Sequence, residues 1–92
     1  MLKDIIAAHP SADAYNLLGH AYRMTGDLKR AQQYYVRALK LNPKHVGALE
    51  YQGELYVIAG ETAKAKANLA TIEGICGTTC EEYEDLAKAL GV

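Results

Sequence analysis

The side chains in this 92-residue chain whose type and spacing point most directly to chemistry are Cys76 and Cys80, in the run Cys76-Gly77-Thr78-Thr79-Cys80. A C-x3-C pair allows three outcomes. It can close a disulfide if the two Cα atoms come within about 7 Å. It can stay reduced, and Cys80 at a helix N-terminus would then have a lowered pKa and some reactivity. It can contribute to a metal site, but the spacing supplies two ligands and no nearby His or Cys completes a set.

Three histidines and several carboxylates are the other candidates for chemistry. His9 and His45 fall at expected helix boundaries, and no Ser or Cys lies in a nucleophile motif. Phosphate-loop, H-E-x-x-H and dinucleotide fingerprints are absent, so the residues predict no catalysis and no cofactor. His20 with Glu54 could hold a metal, but two ligands without a third are a weak set, and no metal is expected. Asn16 and His20 are four residues apart, as are Glu50 and Glu54, and Glu84 and Lys88. That spacing stacks each pair on one helical face. The like charges of Glu50 and Glu54 repel by a few tenths of a kcal/mol, which a basic ligand would relieve. The plain alternative is two solvated glutamates on an exposed face.

The elements that position these residues come from a repeat. Gly19 recurs 34 positions on as Gly53, and at the same offset Tyr22 becomes Tyr56, Gly26 becomes Gly60 and Ala31 becomes Ala65. Tyr15 matches Leu49, Tyr35 matches Leu69, and a third pass brings Tyr83 and Leu86 into register with Tyr15 and Leu18. Such matching suits a stacked array, in which each helix pair buries its apolar face against its neighbour.

Residues 12–45 carry Tyr15, Leu18, Gly19, Tyr22, Ala31, Tyr35, Ala38 and Pro43 in the order of the W-x2-L-G-x2-Y…A…aromatic…A…P pattern, and so resemble the tetratricopeptide repeat, with Tyr15 in the tryptophan slot. The second unit departs from that pattern at Gln52, Ile72 and Gly77, which loosens it. The resemblance implies an all-α fold, an α-solenoid of antiparallel helix hairpins in one domain spanning residues 1–92. An N-terminal helix is expected over 1–10, repeat one over 12–45, repeat two over 46–79 and a capping helix over 80–92. Helices are expected at about Ser11 or Asp13 to Thr25, Leu28 to Leu41, His45 to Ala59, Thr62 to Ile75 and residues 80–90. Gly19 is costly inside a helix by about 1 kcal/mol against Ala, so a close approach to the small Ala31 and Ala38 is expected there.

In this family the first helix of each hairpin lines the concave face, so the resemblance directs the residues just off the inner stripe toward a ligand. Asn16, His20, Glu50, Glu54, Glu84 and Lys88 then form a polar ladder, flanked by Asp13, Leu17, Arg23, Tyr51 and Val57. Some members hold a peptide's terminal carboxylate with Lys and Asn on these faces; the matching sites here are Asn16, His20 and Tyr51, so that clamp is absent. The run from Ile75-Cys76 to Cys80-Glu81-Glu82-Tyr83 resembles the end of small exported bacterial tetratricopeptide proteins, which favours a periplasmic or exported location over a cytoplasmic one.

Half the residues are apolar, 23% are charged and the formal net charge is -1. Lys29, Arg30, Arg37 and Lys40 are matched by acids elsewhere, leaving no basic stripe for nucleic acid. No run of about 18 apolar residues occurs, so no membrane partner is expected, and without a charged-then-apolar leader no export signal is expected in this sequence. The leading expectation is a non-catalytic module that binds a peptide or protein, one with basic side chains, in its groove. The alternatives are a thiol/disulfide or metal-responsive element at Cys76 and Cys80, and a structural protomer that self-associates through exposed array edges.

Overall fold

A computed structural model describes residues 11–92. The helix expected over residues 1–10 lies outside the described residues. Five helices follow in chain order: α1 (Ala12–Met24), α2 (Leu28–Leu41), α3 (Val46–Ile58), α4 (Thr62–Cys76) and α5 (Glu81–Leu90). There is no strand among the described residues, and no helix of theirs is long and apolar enough to cross a membrane.

Each helix start follows from local chemistry. Ser11 is extended, and its hydroxyl accepts the Ala14 N–H at 3.1 Å, so Ser11 rather than Asp13 caps α1. Asp27 does the same for α2 through the Arg30 N–H. At α3 the cap is a histidine: Nδ1 of His45 accepts the Ala48 N–H at 3.0 Å. Three acidic residues, Glu81, Glu82 and Glu84, occupy the first turn of α5, where the helix dipole favours negative charge. The end of α2 at Leu41 precedes Asn42-Pro43, whose ring cannot continue a helix.

The hairpins α1–α2 and α3–α4 stack in chain order, and α5 covers α3 and α4. Because α1 packs on α3 and α3 on α5, the first helices form one row. Ala31, Tyr35 and Leu55 form one core cluster with Tyr22, Leu28, Tyr51 and Tyr56 around it. Leu49, Leu69, Ile72, Leu86 and Ala87 form a second, which Tyr83 and both cysteines border. Ile72 stands where the repeat usually has Ala, and it is fully buried there.

The close approach at Gly19 is made by a ring as well as by a small residue. A methyl group on Gly19 would stand 2.7 Å from Cε1 of Tyr35 and 3.2 Å from the Ala31 carbonyl oxygen. The Tyr35 ring therefore fills the space beside the helix, and Ala31 meets it through its backbone. Tyr34 of α2 stacks with Tyr15 and Tyr22 of α1, at 6.1 and 5.5 Å between centroids.

The departure at Gln52 places a hydrogen-bonded polar side chain inside the second unit. Gln52 is buried, donates to Gln32 Oε1 at 3.1 Å and accepts from Asn68 Nδ2 at 2.9 Å. Gln32 donates in turn to the Tyr56 hydroxyl at 3.0 Å, and Asn68 to the Leu49 carbonyl at 3.0 Å. One polar chain thus ties α2, α3 and α4 together, where a leucine would supply only apolar contact.

Candidate functional site

The seam between α1 and α3 gathers most of the polar residues of the row. Arg23 of α1 donates to Oε1 of Glu54 in α3 at 2.9 Å, across 31 residues of sequence. The His20 ring stacks on Tyr51, with centroids 4.4 Å apart and planes 17° apart. The Arg23 guanidinium lies 5.8 Å from the Tyr51 centroid, and Tyr51 lies 6.3 Å from Tyr35 of α2. Asn16 reaches the start of α3, where its Nδ2 is 3.2 Å from the position a methyl on Gly47 would take. Outside this group, Asp13 pairs with Nε2 of His45. With Nδ1 of His45 accepting the Ala48 N–H, Nε2 carries the proton and donates it to Asp13.

The polar ladder is more enclosed than helical spacing suggests, which corrects the plain alternative of a solvated glutamate at Glu50. Asn16 and Glu50 are only 6% and 8% exposed. Positions just off the inner stripe of one helix become the contact with the next first helix, because small Gly47 and Gly53 let the row close up. Only Glu84 and Lys88, on the last helix, stand in solvent. Leu17 is exposed, whereas Val57 lies half-buried against the cluster around Leu49 and Ile72.

Relief of the Glu50–Glu54 repulsion comes from within the chain. Burial, a hydrogen bond with Glu54, and the charges of Glu54, Asp85 and Glu82 push the Glu50 carboxyl up to about 9. At neutral pH Glu50 therefore keeps its proton and donates it to Glu54, whose other partner is Arg23. Burial likewise holds the Tyr35 hydroxyl in its neutral form, far above its ordinary range, in the field of Arg23, Tyr51, Glu54 and Glu50.

Three buried polar atoms have no hydrogen-bond partner among the described residues: Asn16 Oδ1, His20 Nδ1 and the Tyr35 hydroxyl. Leaving such a group unpaired costs roughly 1–3 kcal/mol. All three are enclosed by the chain itself, Asn16 beside Gly47 and the His20 and Tyr35 rings beside Tyr51.

The second feature is the α4–α5 turn. Cys76 ends α4, Cys80 caps α5, and the two are paired as a disulfide with Cα atoms 6.0 Å apart. Gly77 makes the turn possible with φ at 78°, a left-handed value that other residues rarely adopt. Glu82 brings a carboxylate oxygen within 4.8 Å of both sulfurs, a third ligand for the reduced pair alone, since the disulfide offers no thiolate. The His20–Glu54 pair gains no third metal ligand among the described residues, and Glu54 is taken up by Arg23.

Gln32 and Asn68 carry no signal in the sequence, whereas Gln52, Tyr56 and Tyr35 are visible there only as repeat positions, Gln52 as a polar residue in a slot where the repeat usually has Leu.

Known proteins place this geometry in a family. Residues 12–45 match the family model for the tetratricopeptide repeat. The chain is 33% identical over 63 residues to tetratricopeptide repeat protein 21 homolog of Caenorhabditis briggsae, covering 68% of this chain and 5% of that protein. It is 34% identical over 56 residues to the uncharacterized protein ycf37 of Pyropia yezoensis, covering 61% of this chain and 32% of that one. The chain thus spans a small part of the first relative and about a third of the second. With the helix-pair layout continued from α1–α2 into α3–α4, these matches assign the chain to the tetratricopeptide repeat family.

Proposed function

We propose that the chain is a non-catalytic module that binds a peptide or partner protein on the row formed by α1, α3 and α5. Tetratricopeptide repeats generally mediate protein–protein interaction, and proteins of the family are generally non-catalytic scaffolds. The observation that carries the reading is the seam itself, where half-buried His20 and Arg23 of α1 meet Tyr51 and Glu54 of α3. Even with Glu50 neutral, the acidic residues Glu54, Glu82, Glu84 and Asp85 outnumber Arg23 and Lys88 along the row, which favours a partner with basic side chains. Nucleic acid is disfavoured by the same balance.

Affinity capture with the purified chain, run beside a Glu54→Lys bait, tests this. The expected result is a protein retained by the wild-type bait and weakened at least about tenfold by a variant that keeps its helical dichroism. Equal retention by both baits, or retention of nothing, rejects the reading.

The pairing of Cys76 with Cys80 favours a second, compatible reading, in which the disulfide clamps α5 onto the second hairpin in an oxidising compartment, periplasmic or exported. Self-association through the exposed ends of the array competes with partner binding. Sedimentation of the purified chain distinguishes the two.

A further inference from the structure

We infer that the reduced α4–α5 turn is a binding site for one thiophilic divalent cation of the Zn2+ class, held by the Cys76 and Cys80 thiolates and the Glu82 carboxylate, with water in the fourth position. The site exists only when the disulfide is open, so metal and disulfide exclude one another. The inference does not rest on the protein-binding reading.

The donor set is the first support. One sulfur from each cysteine and one carboxylate oxygen of Glu82 lie within 4.8 Å of one another, on residues that are half-buried and so open to an incoming ion. Bonds of about 2.3 Å to sulfur and about 2.1 Å to oxygen in a tetrahedral site put the donor atoms about 3.6 to 3.8 Å apart. With Cα atoms 6.0 Å apart, the two cysteines reach that separation by side-chain rotation alone. Two thiolates select a soft cation over Ca2+ or Mg2+, which take oxygen ligands.

Positioning that does not depend on the disulfide is the second. The Gly77 N–H donates to the Glu73 carbonyl at 2.8 Å and the Glu84 N–H to the Cys80 carbonyl at 3.1 Å, so backbone bonds hold both helix ends at the turn. Leu86 is fully buried over Gly53 and keeps α5 on α3. The Cys80 side chain makes no cap hydrogen bond to α5, so metal binding costs that helix no cap. Reduction breaks the S–S bond with two electrons and two protons from a dithiol, which is itself oxidised to a disulfide. The cation then displaces both thiol protons to solvent. Two thiolates, one carboxylate and Zn2+ sum to a single negative charge, at the α5 N-terminus where the helix dipole favours it.

The test uses the 92-residue chain, reduced with a phosphine that becomes its oxide with oxygen from water, and Co2+ and Zn2+ as probes. Co2+ should give thiolate-to-metal charge-transfer bands that saturate at one ion per chain and vanish when Zn2+ replaces it, with helical dichroism unchanged; the oxidised chain should give none. Zn2+ should raise the denaturation midpoint of the reduced chain alone. Cys80→Ser keeps a good N-cap and should abolish the paired-thiolate bands. Glu82→Gln should weaken Zn2+ binding at least about tenfold. Glu81→Gln removes the same charge from an exposed neighbour but no donor, and should cost much less. Absence of the bands from the reduced chain, saturation at one ion per two chains, or equal losses in Glu81→Gln and Glu82→Gln overturns the inference. None of these results touches the protein-binding reading, which stands or falls on the capture experiment.

Discussion

Leu86 of α5 fills the space over Gly53 of α3. A methyl group on Gly53 would stand 2.5 Å from Cδ2 and 2.8 Å from Cδ1 of Leu86, a side chain that is itself fully buried. Gly53 therefore serves the packing of the capping helix, whereas Gly19, one repeat earlier, receives Tyr35 of its own hairpin. Leucine at either position overpacks the core and is expected to cost about 1–3 kcal/mol, or more where the neighbour cannot shift. Gly74, in α4, has nothing within 4 Å of the position a methyl would take. Gly74→Ala is expected to stabilise by up to about 1 kcal/mol through helix propensity alone. Urea denaturation of the three variants checks both signs.

Stability should fall as pH rises, and Glu50 supplies the reason. Its carboxyl titrates near 9 in the folded chain against an ordinary value of 4.5. Between those values the unfolded chain has lost a proton that the folded chain retains, so the stabilisation is complete below about pH 4.5 and declines up to about pH 9. Glu50→Gln removes the titration and should melt above wild type at pH 8, by an amount on the order of a few kcal/mol, and converge with it near pH 4.5. Parallel melting profiles for the two proteins across that range would contradict the assignment.

Gln52 should behave as one link of a chain rather than as an isolated side chain. Gln52→Leu leaves Gln32 Oε1 without its donor, while Asn68 keeps its bond to the Leu49 carbonyl; the expected cost is about 1–3 kcal/mol. Combined with Asn68→Leu, the loss should be smaller than the sum of the single losses by more than about 0.5 kcal/mol. Strict additivity in the double-mutant cycle would deny the coupling.

Closing the short loop between Cys76 and Cys80 should stabilise the domain by about 2 kcal/mol on the chain-entropy model. Its local effect is to hold Tyr83 and Leu86 on the second core cluster. Mass spectrometry of protein purified without reductant should show the loss of two hydrogens, and reduction should lower the denaturation midpoint. Two freely alkylated thiols in the folded protein would reject the bridge.

The 34-residue period made the helices legible. Leu28–Leu41 begins and ends where the cap and proline signals put it, and the other described helices lie within two residues of expectation. Periodicity describes one helix at a time, and it cannot say how closely neighbouring first helices approach. Helical spacing thus gives no sign that the row closes over Asn16 and Glu50. The same limit hid the Asp13–His45 and Arg23–Glu54 pairs, whose members are 32 and 31 residues apart. Gln52 was visible only as a mismatch, because its partners Gln32 and Asn68 occupy positions that the repeat pattern leaves open.

Hydrogen exchange on the chain bound to its captured partner tests the binding face most directly. Added protection is expected in Ala12–Met24 and Val46–Ile58, strongest around His20, Tyr51 and Glu54, with Leu28–Leu41 and Thr62–Cys76 little changed. Protection confined to those two second helices, with the α1–α3 seam exchanging as in the free chain, would contradict it.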